Sequence, residues 1–267
     1  SMAETMNVIK VGGAVVEDEA SLGGLIERFA SLPGRKVLVH GGGRSATRLA
    51  AQLGIETTMV EGRRVTDEEM LRVVTMVYGG LVNKQVVARL QAAGVNALGL
   101  TGADMNVIRA HRRPVKVVRD AEGRQMEVDS GFVGDIDGAD GACLAHLVGS
   151  GVTPVVAPLA HDGSGQMLNV NADTIAATVA VALAGHFDVT LTYCFEKPGV
   201  LARADDEESV IRRITREDFP RLMAGGIISG GMIPKIENAL SAIDRGVKRV
   251  VITGAEDIAG CRGTVVE

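Results

Sequence analysis

Apolar and polar positions along this chain follow two rhythms, one of strands and one of helices, and the two take turns from end to end. Val8-Ile9-Lys10-Val11 is an apolar run around a single lysine and ends in Gly12-Gly13, as a buried strand entering a tight turn would. Over residues 18–30, Leu22, Leu25, Ile26 and Phe29 recur at helical spacing until Pro33-Gly34 breaks the pattern. Residues 36–40 predict a second strand, followed by Gly41-Gly42-Gly43 and an alanine-rich helix up to Gly54. A short strand is expected over 57–60 and a polar turn over 61–66. Thr66-Asp67-Glu68-Glu69 predicts a capping-box start to a helix reaching about residue 93, interrupted at Gly79-Gly80.

The second half repeats the rhythm. Residues 96–100 predict a strand, and the short polar-flanked runs at 107–108, 115–118 and 125–128 predict a hairpin outside the main sheet. Helices are expected over 140–148, from Asp173 to Leu183, over 216–224 and over 232–244. Strands are expected over 153–157, 189–192 and 249–253. No repeat or linker interrupts the series. The pattern predicts an α/β fold, an open, mainly parallel sheet sandwiched by helices, with two lobes sharing one sheet.

Composition narrows what such a fold is for. The 267 residues include 34 glycines, five phenylalanines, two tyrosines and no tryptophan, so small aliphatic residues must fill the core. The net charge of −5 and the lack of aromatic residues to stack bases argue against a nucleic-acid partner. No apolar run approaches the ~20 residues that span a bilayer, so no membrane role is expected, and nothing resembles a secretion signal. Ser1 before Met2 reads as a cloning remnant and is set aside. Cys143, Cys194 and Cys261 are odd in number and far apart, which suits reduced thiols in a cytoplasmic protein and no metal site.

Five places then stand out chemically. A lysine within a buried strand needs an anion, and Gly12 and Gly13 beside it let backbone N–H groups approach one; the plainer alternative is a snorkelling lysine beside an ordinary turn. Gly41-Gly42-Gly43-Arg44-Ser45-Ala46 fits a dinucleotide fingerprint, with Glu61 twenty residues beyond Gly41, so an NAD site is a rival reading. Arg64, in a turn before a helix, suits a bidentate grip on a substrate carboxylate, or else plain solvation. Asn169-Val170-Asn171-Ala172-Asp173 is more polar than one helix cap requires, with Asp173 in the first turn, where the helix dipole keeps it ionised. Lys235 lies in the first turn of its helix after Gly230-Gly231, an unfavourable end for a cation unless an anion offsets it. Two glycine turns and two awkward lysines together suggest phosphoryl transfer, in which a protein chiefly neutralises spreading charge.

With these pieces in order, the sequence resembles the amino acid kinase family, and within it the kinases of acylated glutamate. The matching stretches are Lys10-Val11-Gly12-Gly13, His40-Gly41-Gly42-Gly43, Arg64-Val65-Thr66, Asn169 to Asp173 and Gly231-Met232-Ile233-Pro234-Lys235, with Gly131-Phe132-Val133-Gly134-Asp135 as a substrate-side loop. The resemblance implies ATP-dependent phosphorylation of the side-chain carboxylate of N-acetyl-L-glutamate, in arginine biosynthesis. It implies Lys10 and Lys235 as catalytic cations, Asp173 as their organiser, and Gly42, Gly43, Arg64, Asn169 and Asn171 as substrate-binding. Gly12, Gly13, Tyr193, Gly199, Val200, Leu201, Ile228 and Ser229 would bind the nucleotide, with Mg²⁺ arriving on ATP. It also implies a single domain whose N-lobe (3–168) binds the acylamino acid and dimerises and whose C-lobe (169–267) binds nucleotide.

Two departures leave alternatives open. The segment from Thr192 to Leu201 is longer than in the family and lacks its aspartate, and Arg63 stands where an apolar residue is usual. N-succinyl-L-glutamate or a carrier-linked α-aminoadipate are therefore alternative substrates, and a non-catalytic nucleotide sensor is a further alternative. Arginine-inhibited members of that family carry an extra helix before the first strand, so the resemblance implies a homodimer without arginine feedback for a chain that begins almost at that strand.

Overall fold

The computed structural model describes residues 3–267; Ser1 and Met2 lie outside the described residues. Eight strands form the main sheet: β1 (Thr5–Val11), β2 (Arg35–His40), β3 (Ala97–Leu100), β4 (Thr153–Val156), β5 (Asp188–Phe195), β6 (Arg213–Ile214), β7 (Arg249–Gly254) and β8 (Thr264–Val266). Their spatial order is β6-β8-β7-β5-β1-β2-β4-β3. The six strands from β7 to β3 run parallel, while β8 turns back antiparallel to β7 and β6 follows β8. The open, mainly parallel sheet expected from the sequence is present. The antiparallel edge made by β6 and β8 was not expected, because two and three residues are too few to show a period.

Helices cover both faces: α1 (Glu19–Ser31), α2 (Gly43–Gln52), a long helix (residues 68–92) called α3, α4 (Gly141–Gly149), α5 (Ala172–Ala184), α6 (Asp218–Ala224) and α7 (Met232–Asp244). Alternation along β1 decides which layer each strand residue meets. Met6 and Val8 join a core with α4, α5, α6 and α7, whereas Ile9 and Val11 join one with α1, α2 and α3. Lys10 follows Met6 and Val8 in that alternation. Its side chain therefore emerges on the α5–α7 face, at the carboxyl end of a central strand. That placement creates the site.

Several local expectations are corrected. Asp67, not Thr66, caps α3, accepting from the Met70 N–H at 2.8 Å; Thr66 is buried and donates to the Arg64 carbonyl at 2.9 Å. Gly79-Gly80 does not interrupt the helix. Thr75–Val82 runs as π-helix through both glycines, a widened turn that absorbs them while Gly79 packs against Thr101 and Leu159. The strand expected over 57–60 shortens to Met59–Val60, which pairs antiparallel with Arg63–Arg64 across a two-residue turn at Glu61-Gly62. Lys116–Arg119 and Gln125–Val128 form the separate hairpin. Ile108–Arg112, by contrast, joins a four-stranded sheet with Leu159–His161, Met167–Asn169 and Gly134–Ala139. β5 extends past residue 192 to Phe195, which draws Tyr193 and Cys194 into the sheet.

Gly131 ties this second sheet to the start of α3. It holds φ +73°, and a Cβ there would lie 2.1 Å from the Thr66 carbonyl oxygen. On either side of it, the Thr66 N–H donates to Ser130 O (2.9 Å) and the Phe132 N–H to Thr66 O (2.6 Å). Gly131→Ala should therefore cost more than about 2 kcal/mol, since left-handed strain and a backbone clash coincide. Urea denaturation reads this directly, and an unchanged midpoint would show that the loop is free to shift.

Candidate active site

Three ionised side chains meet where β1 ends and where α5 and α7 begin. Lys10 Nζ lies 2.9 Å from Asp173 Oδ1, and Lys235 Nζ donates to Asp173 Oδ2 at 2.6 Å. The side chains of Lys10, Lys235 and Asp173 keep only 13%, 12% and 21% of their exposure, so water does little to screen them. Burial pushes the Asp173 carboxyl up, but the two ammonium groups outweigh it and hold the carboxyl below the ordinary carboxylate range. Burial lowers Lys235, and Lys10 adds to that, while Asp173 opposes it. The convergence predicted from the sequence is present. Asp173 also gains from the α5 dipole, whereas Lys235 sits at the unfavourable end of α7 and depends on Asp173.

Tyr193 supports this cluster from beneath. Its register partner in the sheet is Lys10, its ring lies 4.5 Å from Lys235 Nζ, and its hydroxyl donates to the Asp173 backbone carbonyl at 3.2 Å. Fully buried, it has no surface to offer a nucleotide, which corrects its expected role. Val200 and Ile228 likewise lie within the hydrophobic core, and Gly199 packs against Val210 and Thr264. The extension of β5 to Phe195 draws Tyr193 inward, the Val200 N–H donates to Thr264 Oγ1 at 2.9 Å, and the Ile228 N–H donates to Leu222 O at 3.1 Å. Of the expected nucleotide contacts in this lobe, Leu201 stays half-buried and Ser229 exposed.

The two glycine turns touch. A Cβ on Gly41 would lie 3.3 Å from the Gly13 nitrogen, and one on Gly13 would lie 3.7 Å from the Gly42 nitrogen. Gly42 holds φ +153° under the Tyr78 ring, which a Cβ would meet at 3.2 Å. The Gly12 N–H donates to Cys194 O at 3.2 Å and is not free for an anion, a correction to its expected role. The N–H groups of Gly13, Gly42 and Gly43 have no partner among the described residues and point out of helix starts, as anion-binding amides do. Ser45 Oγ donates to Glu17 Oε2 at 2.8 Å and fastens the second turn to the first.

Beside these turns lies a cavity of about 200 Å³, lined among others by Gly42, Gly43, Arg64, Tyr78, Asn169 and Asn171. Arg64 is buried and donates to Gly43 O (2.9 Å) and Thr47 Oγ1 (3.0 Å), with no carboxylate partner among the described residues. Asn169 is buried and donates through Nδ2 to Thr66 Oγ1 at 3.0 Å. Asn171 accepts from the Asp173 N–H at 2.8 Å and so caps α5 while exposed at the cavity edge. An open cleft lined by Lys10, Gly12 and Gly13 adjoins this cavity, sharing Gly43, Met59 and Arg64 with it. The NAD reading has no support in this geometry: Glu61 sits at an exposed hairpin turn and pairs with Lys116 at 2.5 Å, not at a strand end facing the glycines.

Sequence reasoning missed Tyr78, Glu17 and Ser45. Only Tyr78 left a signal: the chain has two tyrosines, and both stand at this site.

The profile of the amino acid kinase family matches residues 5–254. The chain is 60% identical over 266 residues to the acetylglutamate kinase of Bacteroides thetaiotaomicron, covering 100% of both chains. Among solved structures it is similar to smu.665 from Streptococcus mutans UA159, with a TM-score of 0.77, 28% identity and 98% of each chain covered. It also shares the fold of a carbamate kinase from Giardia lamblia bound to AMP-PNP (TM-score 0.64, 14% identity, 99% and 98% covered).

A buried histidine braces the second glycine turn. His40 Nδ1 lies 2.8 Å from Gly41 O, and its Nε2 lies 3.1 Å from Asn83 Nδ2, which also donates to Val155 O. A neutral ring protonated on Nδ1 satisfies both contacts; protonating Nε2 would remove the acceptor that Asn83 uses. Burial, aided by Lys84 and opposed by the Gly41 bond, pushes His40 down to about 4. Because the folded value lies below the unfolded one, the stabilisation is complete above about pH 6.5 and is lost as pH falls toward 4, by up to about 3 kcal/mol. Urea unfolding at pH 7 and pH 4.5 should show the wild type losing more stability than His40→Gln, and equal losses would assign the pH dependence elsewhere.

Proposed function

The chain belongs to the amino acid kinase family, and from that premise we propose that it uses ATP to phosphorylate the side-chain carboxylate of N-acetyl-L-glutamate, a step of arginine biosynthesis. Full-length identity of 60% to a protein named acetylglutamate kinase supports the reaction. The observation that carries the mechanism is the pair of ammonium groups on one carboxylate.

In this reading a side-chain carboxylate oxygen attacks the γ-phosphorus in line. A new O–P bond forms, the bond from that phosphorus to the β-phosphate oxygen breaks, and ADP leaves with the electron pair. The attacking group is already an anion, so no general base is required. Lys10 and Lys235 neutralise charge spreading over the transferring group, and Asp173 holds both at the same place. The free amides of Gly13, Gly42 and Gly43 add hydrogen bonds to phosphate and substrate. Arg64 grips the α-carboxylate, Asn169 meets the acylamino end, and Asn171 positions Asp173 through the helix cap.

The nucleotide would lie over the carboxyl ends of β1, β5 and β7, beside Leu201 and Ser229, so that 169–267 acts as the nucleotide lobe and 3–168 as the acceptor lobe. Mg²⁺ would come with ATP and screen its phosphates. Among the described residues no group of three His, Cys, Asp or Glu lies together, which suits an ion held mainly by phosphate oxygens and waters. The exposed apolar side chains of Met76, Leu81 and Leu98 offer a surface on which a homodimer would pack. Among the described residues no helix is long and apolar enough to cross a membrane; a cytoplasmic setting is part of the proposal.

Lys10→Ala and Lys235→Ala should each lower kcat at least about a hundredfold while the far-UV spectrum and melting temperature stay near wild type. Near-normal turnover in either would remove that lysine from the transition state. Arg64→Ala should chiefly raise KM for the acceptor, and an unchanged KM would take Arg64 out of the substrate site.

A further inference from the structure

The acceptor cavity, of about 200 Å³, adjoins the wider open cleft of about 890 Å³, and the two share Gly43, Met59 and Arg64. One wall of that cleft carries two arginines for which the reaction has no role so far. Arg44 and Arg48 stand one turn apart on α2, both exposed, and neither has a carboxylate partner among the described residues. Arg44 lies in the first turn of α2, where the helix dipole disfavours a cation and no acidic residue offsets it. Two like charges at this spacing also repel each other. Both placements weaken α2 slightly unless an anion visits the cleft.

The opposite wall narrows the choice of anion. Phe195 and Glu196, at the end of β5, line the cleft there, and Glu196 is exposed with no cationic partner among the described residues. A carboxylate on that side repels a triphosphate, whereas the arginine side continues past Arg64 into the acceptor cavity. The whole chain carries a net charge of −5, so an acylated glutamate with both carboxylates ionised is repelled except where local cations reverse the field. A cleft wall of one sign focuses that field and raises the local concentration of the opposite ion.

We propose that Arg44 and Arg48 form a cationic mouth that draws the anionic acceptor from solvent into the cavity, without touching the reacting atoms. The inference rests on the kinase reading above and adds the route by which the acceptor arrives, whatever its acyl group. The acceptor's carboxylates meet Arg44 and Arg48 first and then pass to Arg64 and the lysine pair. Attraction of this kind acts through water, so it fades as salt shortens the screening length from about 30 Å at 0.01 M to about 8 Å at 0.15 M.

The test follows ATP-dependent ADP release between about 0.02 M and about 0.5 M ionic strength, on the better of N-acetyl-L-glutamate and N-succinyl-L-glutamate. It compares the wild type with Arg44→Gln/Arg48→Gln, Arg44→Lys/Arg48→Lys and Glu196→Gln. Wild-type kcat/KM for the acceptor should fall with salt. The glutamine pair should lower it about threefold to tenfold at low salt and flatten the slope, with kcat and KM for ATP within about twofold of wild type. The lysine pair should keep the wild-type slope, and Glu196→Gln should not lower kcat/KM. A wild-type slope in the glutamine pair, or a matching rise in its KM for ATP, would overturn the assignment while leaving the kinase reading intact. An equal loss in Glu196→Gln would overturn it too, because the charges would then act as a pair across the cleft. No ADP release with either substrate would overturn the kinase reading and this inference with it.

Discussion

One carboxylate between two ammonium groups is the constraint on which the rest of the structure depends. Lys10 and Lys235 lie far apart in the chain yet share Asp173, each with little exposure to water. Two positive charges against one negative leave the cluster with an excess of about one charge in a weakly screened place. A purely structural ion pair would balance to zero. The excess makes the triad incomplete by itself, and a migrating phosphoryl group is an anion of the kind that completes it. Its geometry needs one strand to end where two helices of one layer begin, which the parallel sheet provides.

The same end of the sheet also brings the backbone amides of the glycine turns to the site. The two glycine turns follow adjacent strands, so their free amides lie side by side by topology. What holds them there is a set of hydrogen bonds and packing behind the amides: His40 to Gly41 and Asn83, Ser45 to the Glu17 carboxylate, and Tyr78 over Gly42. Positioning groups of this type fix a backbone without competing for the substrate's charge. Lys10 and Arg64 face the cavity and the cleft, while the bonds that fix the glycine turns sit behind them.

Much of this was legible in the sequence, and the rest failed for identifiable reasons. Lys10, Asp173 and Lys235 could be read because each breaks a local rule, a charge in a buried strand or at the wrong helix end, and such conflicts mark function. The double-layered fold followed from strands and helices with clear periods. The fate of Tyr193 could not be read, because strand extension past residue 192 depends on pairing with β1 and β7, not on local pattern, and the burial of Val200 and Ile228 is set by long-range packing. Gly79-Gly80 misled for the opposite reason: propensity predicted a break where tertiary packing favours a π-helical turn. Gly12 misled because a free amide cannot be told from a bonded one without knowing that Cys194 lies opposite.

Arg63 and Arg64 show how far neighbouring residues can diverge in meaning. Both are guanidinium groups without a carboxylate partner at one cavity, but Arg64 is anchored by Gly43 and Thr47 whereas Arg63 has no comparable bond among the described residues. An anchored cation reads one fixed feature, and a substrate's α-carboxylate is such a feature. An unanchored cation at the rim is free to follow a longer, more flexible group. The triad stands at the strand ends, and a two-stranded hairpin that carries both arginines supplies part of the cavity wall beside it.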